Sequence, residues 1–205
     1  EKAFDDFSRQ QLLPRKLSQE GPGVAWLDWN SDGWDDIAVA TGSGGRLGLF
    51  LSDGKGGFEK ASTASLDQVS PRDQACILGL NSNENGLFVL QSNYEDGLAF
   101  GPALQLHSTT DTPKKLLNAG TVSYSTLCAA DYDSDGDLDL FVGGRCQSGS
   151  YPSPVASVIL RNDGGQFVKD DKHAALLSKA GSVSAAVWTD LLGDHHPELV
   201  LGCDP

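Results

Sequence analysis

Short apolar runs alternate with turns rich in Gly, Asp, Asn and Ser along almost the whole chain. Between residues 24 and 61 four such runs, 24–27, 36–40, 46–51 and 57–61, are separated by turn signals at Ser31-Asp32-Gly33, at 42–45 and at 53–57. Runs this short, rich in β-branched and aromatic residues and bounded by Gly and Asp, predict strands joined by hairpins. The same plan recurs at 126–130, 138–143, 156–160 and 166–169. Helix has little room: 173–179 is the one helical run, a connector at most. The Ser-, Thr-, Pro- and Asp-rich stretches 62–74 and 107–125 read as links.

The recurrence is a true internal repeat. Val24-Ala25-Trp26-Leu27-Asp28 aligns with Thr126-Leu127-Cys128-Ala129-Ala130-Asp131, and Asn30-Ser31-Asp32-Gly33 with Asp133-Ser134-Asp135-Gly136. Asp35-Asp36-Ile37-Ala38-Val39 then parallels Leu138-Asp139-Leu140-Phe141-Val142. Weaker copies start at Asn81 and Asp190, so the four first positions are separated by 53, 50 and 59 residues. That period, with four antiparallel strands per unit, predicts an all-β fold, a β-propeller built of four-stranded blades. The repeats lie at about 24–62, 75–107, 126–170 and 185–205, the last incomplete, within a single propeller region spanning 1–205.

The repeated loop carries the candidate chemistry. In the first, Asp28, Asn30, Asp32 and Asp36 place oxygen side chains at positions 1, 3, 5 and 9, and Trp34 offers its carbonyl at position 7. In the second strong copy Asp131, Asp133, Asp135 and Asp139 are all carboxylates, with the Asp137 carbonyl at position 7. Calcium takes six to eight hard oxygen ligands in a flexible shell, and such loops supply most of them. Four carboxylates this close repel one another without a cation. An EF-hand needs a Glu at position 12 and flanking helices, whereas position 12 here is Val39 or Val142 and the sequence runs directly into strand. About two calcium ions are therefore expected. Asn81, Asn83 and Asn85 of the second copy are uncharged and no carboxylate follows Gly86 at the right distance, so that loop is expected to be metal-free, a plain Asx-type turn. The fourth keeps Asp190, Asp194 and Glu198 but has Leu192 at position 3 and His195 in the place of glycine, so it is a weaker metal candidate.

Charge narrows the partners. Acidic residues outnumber basic ones by 28 to 15, for a net charge of -13, which disfavours nucleic acid and anionic lipid. No stretch is apolar for the length of a membrane helix, and insertion is not expected. The chain lacks methionine altogether, which suggests a processed form or fragment whose export signal has been removed. Cys76, Cys128, Cys146 and Cys203 have no zinc-type spacing; they suit small core positions, with disulfides left open. Trp26 and Trp188 share a repeat position and are expected in the core, whereas Trp29 and Trp34, within the loop, either pack on a neighbouring blade or stack on a sugar.

These residues resemble the VCBS and FG-GAP repeat proteins, whose blades are similar to those of the integrin α-subunit propeller. The most specific stretches are 25–42 and 130–144, the latter continuing through Arg145, Tyr151-Pro152 and 160–167. Residues 13–18, Gly21-Pro22 and 186–190 resemble the subgroup in which such repeats precede an ASPIC/UnbV-type module. The resemblance implies an exported protein, extracellular, at the cell surface or periplasmic, whose calcium-stiffened propeller acts in recognition, adhesion or scaffolding.

No GxSxG, HExxH or Cys/His arrangement is present, so an enzyme is not expected. A polysaccharide hydrolase or lyase and a purely structural spacer are the alternatives to a module recognising a protein or carbohydrate ligand. The fourth repeat stops after two strands, which fits a fragment of a longer, seven-bladed propeller completed by the remaining blades of a parent chain. A four-bladed ring, with the segments around 4–7 and 14–18 as the missing outer strands, is the other arrangement.

Overall fold

In the computed structural model, which describes residues 4–80, 86–109 and 112–204, the chain forms fourteen strands and two single-turn helices. After α1 (Asp6–Arg9) come β1 (Val24–Leu27), β2 (Asp36–Val39), β3 (Gly48–Ser52) and β4 (Phe58–Lys60), hydrogen-bonded in that order. The second sheet consists of β5 (Gln74–Leu80), β6 (Gly86–Gln91), β7 (Pro102–His107) and β8 (Lys114–Asn118). The third consists of β9 (Val122–Ala130), β10 (Asp139–Gln147), β11 (Val158–Asp163) and β12 (Gln166–Lys169). After α2 (Ala174–Leu177), β13 (Ser182–Thr189) and β14 (Glu198–Asp204) form a two-stranded sheet. Every pairing is antiparallel between consecutive strands. The innermost strands meet in series, β1 against β5, β5 against β9 and β9 against β13. This is an all-β stack of propeller-type blades, as the repeat predicts.

The core lies between the blades. Leu27, Ala38 and Leu49 of blade one interlock with Ile77, Leu87 and Val89 of blade two. Phe88, Leu90 and Leu104 on the opposite face of blade two meet Leu127, Leu140 and Leu160 of blade three. Phe141 and Ile159 in turn meet Val183, Trp188 and Leu201 of blade four. A sheet covered on both faces needs apolar residues without alternation, and β6 and β10 are accordingly buried almost throughout.

The structure corrects three expectations. The supposed link 107–125 contains β8 and the start of β9. Its Lys114 and Lys115 are exposed on an outermost strand, so the segment has the composition of a loop. Trp26 is 57% exposed, although Trp188, at the same repeat position, is partly buried and stacks on Tyr132 with ring centroids 6.0 Å apart. The position faces the preceding blade in blades two to four, and among the described residues no blade covers that face of blade one. The N-terminal segments add no strand to β13–β14: 6–9 is helical, and Leu13 and Leu17 pack with Tyr94 and Cys146 instead. Among the described residues the four-bladed closure is thus not formed.

Charges reinforce this seam. Arg145, only 3% exposed, pairs with Glu20 at 2.9 Å and with Asp204 at 2.6 Å, joining blade three to the N-terminal segment and to β14. The cysteines form no disulfide among the described residues; Cys146 is buried as expected, whereas Cys203 is exposed.

Candidate metal-binding loops

The loops of blades one, three and four each connect the first two strands of their blade and fold by capping their own backbone. In the first, Asp28 Oδ1 accepts from the Asp32 amide at 3.0 Å and Oδ2 from Gly33 at 2.9 Å. Asn30 Oδ1 accepts from the Asp32 amide at 3.1 Å, and Asp32 Oδ1 accepts from that of Trp34 at 2.9 Å. Two left-handed residues, Ser31 at φ 60° and Gly33 at φ 89°, allow the chain to curl around these carboxylates. Asp36, fully buried, accepts from Trp29 at 2.9 Å and from Ser52 in β3 at 2.8 Å. Position 9 therefore pins the loop to two strands at once.

The loop of blade three repeats the bonds made by positions 1, 5 and 9. Asp131 accepts from Asp135 at 3.1 Å and Gly136 at 3.0 Å, and Asp135 accepts from Asp137 at 2.9 Å. Asp139, 1% exposed, accepts from Tyr132 at 3.2 Å and Asn162 at 2.8 Å. One carboxylate oxygen each from Asp131, Asp133 and Asp139 lie within 4.8 Å of one another. Oxygens so spaced fit a shell of calcium–oxygen contacts of about 2.3–2.6 Å. Burial pushes the Asp139 carboxyl up to about 6, against the hydrogen bonds from Asn162 and Tyr132, and the negative charges of Asp133 and Asp135 add to the rise. A divalent cation is the natural counterweight to that concentration of charge. Asp135 lies outside this closest group, and Asp137, expected only as a carbonyl ligand, also uses its side chain to accept from Gly164 at 2.9 Å.

The fourth loop is better preserved than its sequence suggests. Asp190 accepts from Gly193, Asp194 and His195 at 2.7–3.0 Å, Asp194 accepts from His196, and Glu198 accepts from Leu191 at 2.7 Å. Gly193 at φ 73° and His195 at φ 68° take the left-handed places of Ser31 and Gly33. Only position 3, Leu192, lacks an oxygen. The loop of Asn81, Asn83 and Asn85 lies outside the described residues.

Sequence reasoning missed the outer anchors. Ser52 and Asn162 act through backbone amides, which any residue supplies, so no side-chain signal marks them. Trp29 is 5% exposed and belongs to the interblade core, while Trp34 is 55% exposed and lies against Gly54.

Fold and loops together define a chain of propeller-type blades with a nine-residue acidic loop at the first hairpin. Residues 131–201, from the first loop aspartate of blade three to β14, match the family model described as an FG-GAP-like repeat. No curated protein matches the chain. Among the described residues, no helix is long and apolar enough to cross a membrane.

Proposed function

We propose that this chain is a calcium-stabilised, non-catalytic recognition or scaffold module of an exported or cell-surface protein. The observation that carries the reading is the convergence of Asp131, Asp133 and Asp139 within 4.8 Å, on a loop already folded and pinned at both ends. Calcium would be held there and at Asp28, Asn30, Asp32 and Asp36, with the position 7 carbonyls and water completing each shell. The ion ties the first two strands of a blade together and neutralises charge that otherwise opposes folding. A protein or carbohydrate is the partner class, and further blades of a longer propeller, in the manner of the ASPIC/UnbV-associated subgroup, would cover the open faces of blades one and four. Because the unfolded chain has no preformed cage, calcium at about 100 times its dissociation constant should add about 2.7 kcal/mol per site. Melting curves with calcium and with chelator test this: a rise in Tm that Asp133→Asn diminishes supports the reading, and coincident curves refute it.

A further inference from the structure

Blades two and three present equivalent faces to the blade before them, but they are furnished differently. In blade three β11 contributes Val158 and Leu160, opposite Val142 and Leu140, and all four are buried in the interblade core. The corresponding residues of blade two are Gln105 and His107, opposite Val89 and Leu87. Gln91, two residues beyond Val89 along β6, shares that face. Polar residues thus replace the Leu and Val that blade three places on the same face.

They surround a cavity. It measures about 190 Å³ and lies between blades one and two beneath the 62–74 link, with Leu47, Leu66 and Val69 among its walls. His107 is 6% exposed and its Nδ1 lies 2.9 Å from Ser65 Oγ; Gln91 is 5% exposed and donates to Gln105 Oε1 at 2.8 Å. Both line the cavity, and His107 Nε2 and Gln91 Oε1 have no hydrogen-bond partner among the described residues. Buried polar atoms without partners are uncommon in folded proteins and call for a missing partner.

We propose that this interblade cavity is a binding site for a small neutral polyhydroxylated ligand, a monosaccharide. No Asp, Glu, Lys or Arg is among the described residues lining it, so it offers a charged ligand no counter-ion. Carboxamides present a donor beside an acceptor, which suits neighbouring hydroxyls. Both atoms are closed off from the cavity as they stand, so a ligand hydroxyl reaches Gln91 Oε1 or His107 Nε2 only when the side chain turns towards it; since a hydroxyl both donates and accepts, it then satisfies either, His107 in either imidazole tautomer. Leu47, Leu66 and Val69 provide apolar contact for the C–H faces of a sugar ring. The site is separate from the acidic loops and does not rest on their holding calcium.

Ligand-observed NMR and calorimetry on the calcium-replete protein, with glucose, galactose, mannose and N-acetylglucosamine as probes, test the site. At least one should bind with a dissociation constant of about 1 mM or tighter. Two variants locate it. Gln105→Val with His107→Leu installs the blade-three residues and should raise Tm while removing binding. Val69→Trp, from a half-exposed wall position, should block entry whether or not the first variant folds. Failure of every probe to bind at that level overturns the proposal, as does binding that persists in either folded variant. Calcium titration of the same samples separates this outcome from a failure of the loop assignment.

Discussion

Asp36 and Asp139 show how one residue does two jobs. Each is buried at position 9, and each accepts backbone amides from its own loop and from the third strand of its blade. Asp36→Ala leaves the amides of Trp29 and Ser52 without acceptors, and buried donors so orphaned cost about 1–3 kcal/mol each. Urea unfolding in chelator should therefore show a loss of at least about 2 kcal/mol, before any effect of metal. His107 supplies the pH dependence. Burial pushes its imidazole down from 6.5 to about 4, so between these values the unfolded chain takes up a proton that the folded chain refuses. Stability is then full above about pH 6.5 and falls as the pH drops towards 4, by roughly 3 kcal/mol for the whole shift. His107→Leu should flatten this difference when urea midpoints are compared at about pH 7 and about pH 4. At this scale the spacing of the loop oxygens was legible in the sequence, and burial was not. Trp26 and Trp188 share a repeat position, yet only a blade on the preceding side decides which is covered.

At the scale of elements, the strands of blades one and three were readable to within a few residues because turn glycines and aspartates bracket each apolar run. β8 was not, since an outermost strand buries little and its Lys114 and Lys115 carry no period-two signal. The fourth loop teaches the complementary lesson. Leu192 and His195 break the motif as text, yet Asp190 caps the same turns and His195 adopts the left-handed conformation that glycine occupies elsewhere. The backbone plan survives the loss of one ligand. Leu192→Asp restores position 3 on a loop already in shape, and calorimetry should then record one more calcium ion per chain than in the parent. Unchanged stoichiometry would mean that the backbone likeness does not extend to the metal shell.

For the whole molecule, the repeat explains both what is closed and what is open. Each blade turns Trp26 or its counterpart, Gly79, Ala129 or Trp188, towards the blade before it, and Gly79 leaves so little room that a Cβ there would stand 2.7 Å from Leu27. On blade one the same face shows Val24, Trp26 and Phe58 to solvent; on blade four the opposite face shows Val187 and Val200. These are the surfaces on which further blades would stack. Number and order of blades were legible from the period, whereas the polar lining between blades one and two was not, because it depends on which strand positions face one another across an interface. We propose that two loops hold calcium and that the folded blade pre-forms their cages. Calorimetric titration of chelator-stripped protein with calcium tests it most directly. The account predicts two sites per chain, one lost in Asp133→Ala and the other in Asp32→Ala; absence of calcium uptake, or uptake unaltered by both substitutions, would contradict it.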